Sequence, residues 1–266
     1  MVRNETLLKR YELFVAAAAI AAHANWGAKG FRQRDVRFLI ELFTNWVEGS
    51  LRGGGIPISN TQVQRYVEDL AQEGLAKAVS RQKQPSYRLT RLGLLELLTR
   101  ISDRPPGGRA EHFYFLYYFL RNYGPRIVAL IVAEGKQFPT AVRLEIEVLL
   151  DYRRLLQEEI QRVQRELRKI EERMSDSKNS SQLATKMFAQ GADIPEVVTE
   201  LERKYPYELN SQKPLRELFS DIPGDIAHWE LVEGNVKRVV EIWEPARALL
   251  KAHLSGLRCL EQGIHA

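Results

Sequence analysis

The chain has 266 residues, 44% hydrophobic and 27% charged, with 39 Lys and Arg against 34 Asp and Glu; this length can bury one or two cores, and a net charge of +5 is too modest for a bulk nucleic-acid condenser. Cys259 is the only cysteine, which excludes an intrachain disulfide and a cysteine-based metal cluster, and no apolar run approaches the roughly 20 residues that span a bilayer, so a reducing, cytoplasmic setting is expected. Residues 1–103 carry 15 basic and 10 acidic side chains and residues 104–266 carry 24 of each, so the whole positive excess lies in the N-terminal part.

Taken in chain order, Glu5 to Ala24 reads as an Ala-rich helix. Lys9 and Arg10 ahead of Leu13–Ala22, with Ala22-His23-Ala24, have the outline of a cleavable leader, but Glu5 and Glu12 interrupt it, and a packed helix is the expectation. Gly27 and Gly30 break this helix, and Arg32 to Gly49 forms a second whose inner face is Val36, Leu39, Ile40, Phe43 and Val47. Ser50 to Pro57 is a glycine-rich link. Ser59 is a suitable N-cap for a helix reaching Glu73, with Val63, Tyr66, Val67 and Leu70 along one stripe. Gly74 stops it. Leu75 to Ser80 then alternates as a half-buried strand does, Arg81 to Ser86 forms a hairpin tip, Tyr87-Arg88-Leu89 returns, and Thr90 caps a helix running through Leu98.

The outer face of the Ser59–Glu73 helix carries groups that read base edges. Amides pair with adenine and a guanidinium with guanine, and Asn60, Thr61, Gln62, Gln64 and Arg65 supply such groups next to Ser59. From Arg81 through Arg91 there are four basic residues, Arg81, Lys83, Arg88 and Arg91, and no acid, which suits contact with phosphates.

Gly74, Leu75, Tyr87, Leu89, Thr90 and Gly93 together form a pattern of glycine-leucine, short strand, basic turn, Tyr-Arg-Leu-Thr and glycine. Over about residues 58–98 it resembles the end of winged helix-turn-helix transcription regulators of the MarR and PadR kind. The resemblance implies that the Ser59–Glu73 helix enters a major groove while the Arg81–Ser86 wing lies against the neighbouring backbone or minor groove. The link from Ser50 to Pro57 is longer than the tight turn that joins the two helices in those regulators.

Ser102 to Arg109 (SDRPPGGR) is the strongest punctuation in the sequence and is read as a boundary between domains at 1–103 and 110–266. Ala110 to Tyr123 is dense in aromatics and must be buried; packing is expected, with an effector pocket as the alternative. After Pro139 a long helix carries Ile146, Ile160, Leu167 and Met174 on one heptad seam and Leu149, Leu156, Val163 and Ile170 on the other. Ser175 to Ser181 reads as a polar loop. A second pair of seams runs through Trp229, Val236, Trp243, Leu250 and Leu257 and through Val232, Val239, Ala246, His253 and Leu260, with Pro245 expected to kink or split its helix. The paired seams imply a homodimer whose interface includes Leu149, Leu156, Ile160, Val163, Val239 and Trp243, or an intrachain bundle.

There is no phosphate-binding loop, the five histidines show no ligand-like spacing, and Glu158-Glu159 and Glu171-Glu172 look like solvated ion-pair surface. The expected molecule is mainly α: a winged helix-turn-helix domain with a small β-hairpin wing, then an α-helical domain with long coiled-coil helices. It is expected to be no enzyme and to need no cofactor or metal, with double-stranded DNA as partner, a possible small-molecule or protein effector and no membrane. The expected function is sequence-specific transcription regulation. The alternatives are an adaptor whose winged helix binds protein and a DNA-binding component of replication or partition machinery.

Overall fold

A computed structural model describes residues 11–27, 29–52, 58–80, 85–102, 110–133, 139–205, 215–220 and 222–263. It is mainly helical with one small two-stranded antiparallel sheet. Two compact units divide it, Met1–Leu155 and Leu156–Ala266. The division therefore falls some fifty residues beyond the proline-glycine punctuation at 103–109, which lies outside the described residues.

The first unit is built around α1 (Glu12–Trp26). Every residue from Ala16 to Ala22 has no solvent exposure, because α2 (Gln33–Arg52), α4 (Arg91–Ser102) and α5 (Ala110–Ala133) all pack against this helix. Small side chains let three neighbours approach one axis, and this explains the alanine run as a packing device. The inner face read for α2 is met: Val36, Leu39, Ile40, Phe43 and Val47 are all buried. Phe115 and Phe119 of α5 pack edge-on against Phe43, and Phe115 also against Phe14. Phe115 and Phe119 of the aromatic segment thus belong to the core of the first unit, packed against α1 and α2. A further helix, α6 (Thr140–Leu150), adds Ile146 and Leu150 to the same core.

Between α2 and α4 lie α3 (Asn60–Gln72) and strands β1 (Ala76–Ser80) and β2 (Ser86–Leu89). Gly74 adopts φ +73°, and the Leu75 and Gly74 amides donate back to the Leu70 and Ala71 carbonyls at 2.8 and 3.2 Å, a helix stop that needs a left-handed residue at Gly74. Ala76 pairs with Leu89, Lys77 with Arg88 and Ala78 with Tyr87, before the register shifts at Val79. The alternation expected for β1 holds only at its base, because beyond this irregularity the strand leaves the core: Ala76 is buried and Val79 is 50% exposed. Phe31 adds a bridge on the other side of β2, exchanging two backbone hydrogen bonds of 2.8 Å with Tyr87.

In the second unit, α7 (Tyr152–Ala189) contributes Leu156 onward, followed by α8 (Ile194–Lys204), α9 (Leu215–Phe219) and a helical path from Gly224 to Glu261. The predicted loop at Ser175–Ser181 is helix. Its polar side chains bond along the helix, Asn179 Nδ2 to Ser175 Oγ at 3.3 Å on the exposed face and Ser180 Oγ to the Ser177 carbonyl at 3.1 Å. Ser180 and Ser181 are buried against the C-terminal path, where Ser181 Oγ donates to the Val232 carbonyl. Small hydroxyl residues here serve close approach rather than a turn. At the other end of the expected long helix, Asp151 separates α6 from α7, its carboxylate accepting from the Arg153 and Arg154 amides at 3.0 Å.

Pro245 does not split the C-terminal path. A π-helical turn, Val239–Trp243, immediately precedes it, and the wider turn relieves the clash a proline ring makes with the carbonyl four residues back. Gln157 bonds to Glu261, Glu171 to Arg247 and Asn235 to Ser180, so the two long helices run antiparallel. Leu156, Ile160, Val163, Ile170, Met174, Val239, Leu257 and Leu260 are buried within this single chain. Trp243 packs against the group formed by Ile170, Met174 and Val239. Over this stretch the two seams meet, as in the bundle alternative, so Leu156, Ile160, Val163, Val239 and Trp243 are engaged without a second copy, while Trp229 and Val236 of the second seam stay exposed; Ile146 and the half-buried Leu149 belong instead to the first unit's core.

Glu159 corrects the reading of its cluster as solvated. It is 6% exposed and accepts two bonds from Arg162, Nη2 to Oε1 at 2.8 Å and Nε to Oε2 at 2.9 Å, while His253 Nε2 lies 3.1 Å from the same Oε1. Glu171 does lie at the surface, paired with Arg247 and Lys251 across the helices.

Candidate nucleic-acid interface

The α3 helix begins in a reciprocal cap. The Gln62 amide donates to Ser59 Oγ at 3.3 Å, and the Ser59 amide donates to Gln62 Oε1 at 2.8 Å. This fixes the chain entering the helix and satisfies two donors that a helix start leaves unpaired. It also removes two residues from the expected reading face. Gln62 is 9% exposed with its carbonyl committed to the cap, and Ser59 holds the helix start.

Asn60, Thr61, Gln64 and Arg65 are exposed. Gln64 Nε2 donates to Glu68 one turn on at 2.8 Å. Asn60 is held by α2: Gln33 Nε2 donates to its backbone carbonyl at 2.7 Å, and Arg37 Nη1 donates to its side-chain Oδ1. Glu41 in turn accepts from Arg37 Nε at 2.8 Å. Sequence reasoning missed Gln33 and Arg37. Their signal was present, since both fall off the inner stripe of α2, but nothing in the sequence placed the N-terminal end of α2 beside the start of α3.

The cations of the hairpin separate. Arg81 and Lys83 lie outside the described residues. Arg88 is not a free wing cation: its Nε donates to the Gly27 carbonyl at 2.7 Å, tying β2 to the end of α1. Below it sits His23, 5% exposed, its Nδ1 buried without a hydrogen bond. Burial first and the Arg88 charge second push this imidazole down to about 4. Lys77, opposite Arg88 in the ladder, is exposed, as is Arg34 at the start of α2. The exposed groups around the start of α3 are thus amides, a hydroxyl and guanidinium groups, with Glu41 and Glu68 each engaged by one of them.

Among the described residues, no group of three or more His, Cys, Asp and Glu is placed to hold a metal ion, and no helix is long and apolar enough to cross a membrane. Compared with protein-family models, curated proteins and solved structures, the chain matches none.

Proposed function

We propose that this protein is a transcription regulator that binds duplex DNA, with the 59–73 helix in the major groove and the hairpin against the adjacent backbone. The observation that carries the reading is the capped start of α3, where Asn60, Thr61, Gln64 and Arg65 face solvent side by side. Support also comes from the element order: helix, bridge strand at Phe31, two helices, then a hairpin whose second strand pairs on both edges. That is the order of a winged helix, and the positive excess of the chain lies in the same region. Dimerisation through Leu149, Leu156, Ile160, Val163, Val239 and Trp243 is not part of the proposal, since those side chains pack within one chain. Selection from a random duplex library tests the reading: a recovered motif that Asn60→Ala or Gln64→Ala relaxes at one or two positions supports it, and no enrichment over the input library refutes it.

The adaptor reading is favoured by one specific observation. Phe38, Leu42 and Trp46 recur every four residues along α2 and are 59%, 50% and 51% exposed, an apolar stripe suited to a protein contact. Loss of duplex binding with retention of a partner that Leu42→Glu releases would favour it.

A further inference from the structure

We infer that Arg37 sets the base preference of Asn60, turning it from an adenine reader into a reader of the acceptor edge of guanine; this rests on the DNA-binding reading above. An asparagine that faces adenine uses both ends of its amide, accepting from the N6 amino group through Oδ1 and donating to N7 through Nδ2. Here Oδ1 already accepts from Arg37 Nη1. A guanidinium has donors only, so the atom it meets is the amide oxygen, and the orientation of the Asn60 side chain is fixed by chemistry.

The arrangement is braced on both sides. Glu41 accepts from Arg37 Nε at 2.8 Å, which holds the guanidinium, and Gln33 Nε2 donates to the Asn60 backbone carbonyl at 2.7 Å, which holds the main chain from which the amide projects. The second lone pair of Oδ1 remains open, but an adenine amino group sharing that oxygen would bring its N–H beside the positive guanidinium of Arg37, which opposes a second donor there. With Oδ1 turned to Arg37, the donor left on the exposed Asn60 amide is Nδ2, and the half-exposed guanidinium beside it adds further N–H donors. Donors side by side match guanine, which offers O6 and N7 as two adjacent acceptors in the major groove, and no other base pair presents that pattern. Arg37 is a positioning residue in this scheme, acting on specificity through Asn60.

The test is selection from a randomised duplex library with the full chain as wild type, Asn60→Ala, Arg37→Met and Arg37→Lys. Asn60→Ala identifies the position that Asn60 reads as the one whose preference is lost. At that position the wild type is expected to prefer guanine over adenine by about tenfold. Arg37→Met frees Oδ1 and should move the preference to adenine, whereas Arg37→Lys keeps a donor on the oxygen and should keep guanine. A merely structural Arg37 would change affinity at every position and leave the base unchanged. Adenine in the wild type, or the same base in wild type and Arg37→Met, overturns the inference while leaving DNA binding intact. Failure of the wild type to bind any duplex overturns it through the underlying reading.

Discussion

Thr90 Oγ1 donates to the Gly74 carbonyl at 2.9 Å, joining two residues sixteen apart in sequence, and the same oxygen accepts from the Gly93 amide at 3.1 Å. One hydroxyl thus caps α4 and fastens it to the turn that ends α3. Gly93 completes the junction, since a Cβ there would lie 1.9 Å from the Leu75 carbonyl oxygen. Gly93→Ala is expected to cost about 3 kcal/mol or more by forcing helix and turn apart, and Thr90→Val about 1–2 kcal/mol by removing the cap. Urea denaturation followed by the fluorescence of the tryptophans measures both, and wild-type stability of Gly93→Ala would contradict the packing at this junction.

The buried His23 makes the first unit sensitive to acid. Its imidazole is held near 4 when folded and returns to about 6.5 when unfolded. The unfolded chain therefore binds the extra proton between these values, so stability rises with pH through that window, is complete above about 6.5 and is lost as pH falls toward 4. The loss is on the order of 3 kcal/mol. Hydrogen exchange of α1 between pH 7 and pH 4 should show it, and His23→Gln should flatten the dependence. An equally steep profile in that variant would assign the sensitivity elsewhere.

In the second unit the buried Glu159 carboxylate meets the Arg162 guanidinium and the His253 imidazole. Glu159→Leu should cost about 3–5 kcal/mol, because removing one partner of a buried pair strands the other. The double variant Glu159→Leu, His253→Leu is expected to recover more than half of that loss. A thermal melt of the four proteins of the cycle decides it, and strictly additive losses would mean that the 3.1 Å contact carries no coupling.

Because Val163 and Val239 are fully buried within one chain, Val163→Asp or Val239→Asp places an unpaired charge in the core and should destabilise the second unit by several kcal/mol. The midpoint of that unfolding should not depend on protein concentration. A concentration-dependent midpoint in the wild type would show that a second copy covers these residues.

What was legible in the sequence was local. The caps at Ser59 and Thr90 and the stop at Gly74 depend on residues within one motif and were read from residue type and spacing, whereas the tie from Thr90 to Gly74 and the close approach at Gly93 emerge only from how that motif folds back on itself. The inner face of α2 and the two seams were read from periodicity. The partner of each seam was not, because a heptad states that a face must be covered and not by which chain. Ser175–Ser181 misled because its hydroxyls favour turns in isolation, whereas here buried Ser180 and Ser181 bond to the opposing helix. Arg88 misled similarly: a cation beside a hairpin suits phosphate, but its long side chain turned inward to the Gly27 carbonyl. Gln62 lost its reading role to a cap contact only three residues long.

The central claim, duplex DNA binding by the first unit, is tested most directly by a fluorescence-anisotropy titration of the full chain against its selected duplex at several salt concentrations. Log K is expected to fall with log salt at a slope of about −3 to −5, and Arg65→Ala to make the slope shallower by about one. No binding in the tens of micromolar at roughly 50 mM salt, or affinity independent of salt, would contradict it.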